Sequence, residues 1–185
     1  KRLAFHRRIF LVPALMVALA AGGALLQGCS VNPATGEQSF TGFMSPERER
    51  QIGAEEHPKL VIAFGGKYPD PALTRYLNGL GGLLQSTSEQ PKPPFTFTLL
   101  DSPVINAFAL PGGYVYVSRG LMALANDEAE LAGVAAHEIG HVTARHSAQR
   151  MSRGILASLG AAVLGAMAFL LVRFRAKPGV PARQI

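Results

Sequence analysis

The sequence predicts an α+β domain, and three observations predict it. One helical segment opens with a start signal at Ser45, and a second is read from leucine spacing from Pro71. Three extended runs, rich in aromatic and β-branched residues, follow at 95–99, 104–110 and 114–118. A further helix opens at Asp127. Strands grouped between helices are the mark of this class. A chain of 185 residues, less its leader, is sized for one domain with a modest core.

The first 28 residues read as a signal peptide. Lys1, Arg2, Arg7 and Arg8 precede an uncharged run from Ile9 to Leu26, a basic region followed by an apolar one. Leu26-Gln27-Gly28-Cys29 then resembles the lipobox of bacterial lipoproteins, although Gln27 is an unusual occupant of its position. By that resemblance Cys29 becomes the lipidated first residue of the mature protein. The alternative is an uncleaved anchor, since the run approaches the roughly 20 residues a membrane span needs. In both cases the remaining chain faces the cell envelope, and Ser30 leans toward the outer membrane by analogy with bacterial sorting. Cys29 is the only cysteine, which excludes an intramolecular disulfide. The sequence begins at Lys1 rather than Met, so the native start is expected further upstream.

Ser30 to Gly42 is turn-rich and reads as a tether. Ser45 as N-cap, Pro46 at the first helical position and acids in the first turn open a helix. It continues toward Glu56, and Pro58 is expected to end or kink it. Pro71 to Leu84 carries Leu73, Leu77, Leu80 and Leu84 at helical spacing, and Gln85 to Pro94 is a polar, proline-rich loop. Phe95 to Leu99 alternates as a strand. Val104 to Leu110 and Tyr114 to Ser118 flank Pro111-Gly112-Gly113, whose turn chemistry predicts a hairpin. Asp127 and Glu130 form a capping-box pattern. From there Leu131, Ala135, Ile139 and Val142 line one helical face, and the helix signal holds through about Arg145.

Inside that helix stands His137-Glu138-Ile139-Gly140-His141. Positions four apart sit about 40° from each other around the axis, so both imidazoles leave one face, off the apolar stripe. Two neutral imidazoles so placed can share one Zn²⁺, with the intervening glutamate as general base toward a water at the metal. Gly133, Ala136 and Gly140 leave room for other backbone or substrate to approach. His146, five residues past His141, falls about 140° away on a continuous helix and reads as structural. Glu130 is on the right face but roughly 10 Å along the axis, too far to bind the same ion. Asp101 and Glu128 join only through folding that local patterns do not reveal. His57 is assigned to the surface and His6 to the leader.

The net charge of +6 suggests nucleic acid until its distribution is read. Four positives belong to the leader, and six follow the motif helix. Between Cys29 and His146 stand 12 acids against 8 bases, a net −4. Basic ends flanking apolar runs suit a membrane surface. No aromatic-and-basic platform or nucleic-acid module is present.

Asn106-Ala107-Phe108-Ala109-Leu110-Pro111-Gly112-Gly113, then Tyr114-Val115-Tyr116-Val117, then the HEIGH helix, resemble the peptidase core shared by the HtpX heat-shock protease and BepA-type lipoproteins. Asn32-Pro33-Ala34-Thr35-Gly36 and Phe95-Thr96-Phe97 extend the likeness, which covers roughly Cys29 to Arg150. The resemblance implies a zincin-like α+β fold, a small sheet packed on the active-site helix. It implies a zinc endopeptidase that cleaves unfolded or misassembled envelope proteins, with His137 and His141 as ligands and Glu138 as catalytic base. Extended substrate is expected to pair along a sheet edge at Asn106, Ala107 and Phe108.

The same family takes its third zinc ligand from a glutamate on a helix well downstream. Here no Asp, Glu or His follows His146. Residues 155–172 form an 18-residue run without charge, followed by Arg173, Arg175 and Lys177. This segment is expected to span or lie on a membrane. Beyond about Phe169 the likeness to the family ends, so residues 151–185 read as an aberrant or truncated tail. Two functions therefore stand as expectations: an anchored zinc endopeptidase, or a non-catalytic envelope lipoprotein that still binds unfolded chains.

Overall fold

A computed structural model describes residues 29–31, 36–90 and 95–175. The signal peptide assigned to 1–28, residues 32–35 and the tail from 176 onward lie outside the described residues, while Cys29 is exposed. The first described elements are β1 (Cys29–Val31) and β2 (Gln38–Phe40), paired antiparallel with Cys29 opposite Phe40. The expected tether is thus in part a two-stranded ribbon.

Helix α1 (Pro46–Ala63) starts as the sequence predicts, with the Ser45 hydroxyl accepting from the Arg48 amide at 3.2 Å. Pro58 does not end it. The helix passes through the proline and stops at Gly65 and Gly66, which take φ of +87° and +93°. Those are left-handed values that glycine adopts without steric cost, and Gly66 donates to the Val61 carbonyl at 2.8 Å. Helix α2 (Pro71–Ser86) is capped by Asp70, whose carboxylate accepts from Ala72 and Leu73.

Strands β3 (Thr96–Leu100), β4 (Ala107–Leu110) and β5 (Tyr114–Ser118) form one sheet in the order β3-β5-β4. The predicted hairpin is present, β4 antiparallel to β5 with Ala107 opposite Val117. β3 runs parallel to β5, and β4 is left at the edge. The extended run expected from Val104 shortens to 107–110. Ser118 both donates to the Asn106 carbonyl and accepts from the Asn106 amide. Past Ser118 the partner strand turns into α3 (Arg119–Leu124), so Val104 and Ile105 have no strand beside them and remain exposed.

Alternation divides the sheet into two faces. Phe97, Leu99, Val115 and Val117 pack with Leu77 and Leu80 of α2 and with Leu131 and Ile139 of α4 (Glu128–Thr143). Each such side chain, fully buried, contributes about 1.5–3 kcal/mol. Gly81 allows α2 to lie on the Phe97 ring, because a Cβ there would fall 2.5 Å from it. The other face carries Tyr114, Tyr116 and Phe108, covered by α1. Gly53 makes that approach possible: its missing Cβ would sit 2.1 Å from the Pro111 carbonyl oxygen.

His57 belongs to this second face, which corrects its assignment to the surface. Its Nδ1 lies 2.7 Å from the Tyr116 hydroxyl, and its ring stacks on Tyr114 at 4.9 Å. Tyr116 is fully buried, and burial, with Tyr114 beside it, pushes its hydroxyl up to about 12. Burial, and secondarily the charge of Lys67, holds the His57 imidazole below its ordinary 6.5. A base lowered on folding contributes stability that is complete above its unfolded value and is lost as pH falls through its folded one. Unfolding midpoints taken between about pH 8 and 5 will therefore drop in the wild type, and His57→Gln will flatten that part of the curve. An unchanged slope in the variant would remove His57 from the acid response.

Candidate metal centre

Helix α4 is held by the face opposite its histidines. Leu131, Ala135 and Ile139, spaced four apart, are each no more than 3% exposed and anchor it to the sheet and to α2. Its start follows the predicted cap with one change. Asp127 accepts from the Glu130 amide at 2.9 Å, but the Glu130 carboxylate reaches back to Asn126 rather than to Asp127.

With the apolar stripe buried, His137, Glu138 and His141 are presented together. One ligand atom from each lies within 4.8 Å of the others. Two donors bound at about 2.0–2.1 Å to a single ion are at most ~4 Å apart, so small side-chain rotations suffice. Among the described residues no further Asp, Glu, His or Cys joins this set. The His137 and His141 rings meet edge to face at 4.5 Å. Two imidazoles are donors suited to a borderline cation such as zinc, and the Glu138 carboxylate lies beside them.

A cleft of about 480 Å³ opens beside the histidines. One wall is His137, Gly140 and His141; the other comes from Leu84, Thr87 and Glu89, where α2 ends and its loop begins. Glu89 escaped the sequence reading because it stands in a polar loop with no periodic pattern to single it out. Asp101 is turned elsewhere, paired with Arg119 at 2.6 Å. Glu128 remains in the first turn of α4, where it raises the Tyr76 hydroxyl after burial has done so.

The three predicted substrate contacts are placed separately from this cleft. Among the described residues β4 pairs on one side only, with β5, so its other edge is open. Asn106 is engaged by Ser118, and Ala107 packs against the core. The Phe108 ring stacks between Tyr116 at 4.8 Å and Phe64 at 5.0 Å. A small crevice that includes His141 is bordered by Ala109, Leu110 and Pro111, the far end of the same strand.

The helix signal expected through Arg145 stops early. α4 ends at Thr143, Arg145 takes φ +55°, and α5 (His146–Arg175) starts in a new direction. A non-glycine residue in that region costs roughly 1–2 kcal/mol. The Arg145 guanidinium holds it there, donating to Glu49 through Nε at 2.7 Å and to the Met44 carbonyl at 2.6 Å. A second contact joins its Nη2 to the same Glu49 oxygen. The bend returns His146 to His141, their Nδ1 atoms 2.6 Å apart. His146 is therefore beside the motif, contrary to the angular argument, which held only for an unbroken helix.

α5 then leaves the domain. Its apolar side chains from Ile155 to Val172 include Leu159, Val163, Leu164, Met167 and Phe169, all more than half exposed. Among the described residues it alone is long and apolar enough to cross a membrane, by length and composition.

A family model described as Peptidase family M48 matches residues 71–179. The beta-barrel assembly-enhancing protease of Escherichia coli is 48% identical over 82 residues, 44% of this chain and 17% of the relative. Its Yersinia pestis counterpart is 46% identical over the same length and shares. Mitochondrial metalloendopeptidase OMA1 of Schizosaccharomyces pombe is 27% identical over 139 residues, 73% of this chain and 41% of the relative. The chain thus spans less than half the length of each of these relatives.

Burial pushes the Glu49 carboxyl upward while Arg145 opposes it, and a buried ion pair commonly adds little net stability. Its value is geometric. Arg145→Met will leave Glu49 buried and unpaired, at a cost of about 3–5 kcal/mol, and the double variant Glu49→Leu, Arg145→Met will recover most of that loss. Urea midpoints for the two variants give the comparison; equal losses in both would contradict it.

Proposed function

The chain belongs to peptidase family M48, and from that premise we propose that it is a zinc endopeptidase with a zincin-like site on α4. The observation that carries the reading is the convergence of His137, Glu138 and His141, with both histidines lining the cleft. His137 and His141 hold the ion, each through a neutral ring nitrogen. When bound, zinc supplies Lewis acidity to a scissile carbonyl and to a water. Glu138, only 9% exposed, takes the water proton and delivers it to the leaving amine. A catalytic zinc needs a third protein donor, which the described residues do not add to the set.

Substrate enters as an extended chain paired on the open edge of β4, with backbone hydrogen bonds supplying affinity and little demand on side chains. Asn106, Ala107 and Phe108 offer main-chain groups to it, since the Phe108 ring is already engaged with Tyr116 and Phe64. Main-chain recognition selects unfolded segments over folded ones. The names of the bacterial relatives, together with the leader and lipobox, support substrates among misassembled envelope proteins. Glu138→Gln will lower cleavage of an unfolded protein by at least about 10²-fold while zinc content stays unchanged. Cleavage at the wild-type rate would exclude Glu138 as the base.

The protein is held at the periplasmic side of a membrane, the outer one by the Ser30 analogy, by lipid on Cys29 and by insertion of 155–172. The uncharged run is about 27 Å long as a helix, near the ~30 Å of a hydrocarbon core, and residues 155–169 are exposed on every side of it. In a Cys29→Ser background the protein will still float with anionic vesicles, and adding Leu159→Glu and Val163→Glu will release it. Flotation that survives both changes would show that α5 is not the contact.

A further inference from the structure

We propose that His146 is a positioning residue for the metal centre, one that holds the His141 imidazole in a single tautomer and ring orientation. The inference rests on the proposed ligation by His141 and adds a residue to it. The two Nδ1 atoms, 2.6 Å apart, are paired in a short hydrogen bond. A neutral imidazole has one N–H and one lone pair, so one ring donates and the other accepts. If His141 accepted at Nδ1, its proton would sit on Nε2 and its remaining nitrogen could not bind a metal. If His141 donates from Nδ1, its Nε2 lone pair is free. Ligation through Nε2 and acceptance by His146 are therefore the same choice of tautomer. Ligand histidines elsewhere are fixed in this way by a carboxylate, carbonyl or water; here an imidazole fills the place.

Direct ligation by His146 is the rival, and distance argues against it. The ligand atoms that fall within 4.8 Å of one another are those of His137, Glu138 and His141, and His146 does not join them. The rings are also inclined at 59°, with centroids 4.9 Å apart. The placement is built in by tertiary contacts. On an unbroken helix His146 would point about 140° away from His141; the turn at Arg145, anchored to Glu49 and Met44, brings it back. Gln149 steadies the same turn by donating to the Ala144 carbonyl at 2.8 Å.

The test measures zinc affinity by chelator competition and the visible spectrum of the cobalt-substituted protein. His146→Ala will weaken zinc binding about 10- to 100-fold, and His146→Asn, whose side-chain oxygen can accept the same hydrogen bond, will restore most of it. The cobalt spectrum will match the wild type in both, because the ligand set is unchanged. His146 is exposed, so the unfolding midpoint serves as a check that the fold survives. Affinity within twofold of wild type in His146→Ala would overturn the proposal. So would an altered cobalt spectrum without rescue by Asn, which would make His146 a ligand. If the wild type binds no zinc, or His137→Ala leaves binding unchanged, the metal reading itself fails. Binding that needs His137 and His141 but ignores His146 sinks only this inference.

Discussion

The turn at Arg145 is the constraint on which the geometry of the site depends. One guanidinium reaches the start of α1, nearly a hundred residues earlier in the chain, and closes on Glu49 and the Met44 carbonyl. That contact ends the motif helix, starts α5 in a new direction and sets one imidazole against another. Burial raises the Glu49 carboxyl against the pull of Arg145, and a buried pair of this kind contributes direction more than net stability. A pair that is costly to bury and costlier to break suits a point where two helices must diverge in one way only.

The rest of the domain supplies a platform for that turn. The sheet is apolar toward α2 and α4 and aromatic toward α1, so the motif helix is fixed by Leu131, Ala135 and Ile139 before its polar face is considered. Glycines set the distances on both sides: Gly81 brings α2 onto Phe97, and Gly53 lets α1 cross the β4–β5 hairpin. Since α1 carries Glu49, the packing of Gly53 against Pro111 also places the acceptor that Arg145 needs. Core packing and site geometry are thus coupled through a single helix.

Local chemistry was legible from the residues, and non-local pairing was not. Ser45 and Asp127 act within three residues of themselves, so those two helix starts could be read directly. The four-residue spacing of His137 and His141 fixed their common face for the same reason. Nothing nearby marks the break after Thr143, which has neither glycine nor proline and arises from a partner 96 positions away. The parallel pairing of β3 with β5 and the contact of His57 with Tyr116 likewise depend on residues 18 and 59 positions apart. Pro58 misled because a proline removes one hydrogen bond from a helix, while the termination belonged to the glycine pair beyond it. The match to the peptidase family bears out the resemblance read from the HEIGH helix and its hairpin.

The proposed hydrolysis and the role given to His146 both turn on an ion between the two motif histidines. Anomalous diffraction at the zinc edge, from crystals of the zinc-loaded protein, is the most direct test. The account predicts a peak within coordination distance of His137 and His141, on the Nε2 side of the His141 ring, with His146 still against Nδ1. A peak on Nδ1 of His141, or bound zinc located away from both histidines, would contradict it.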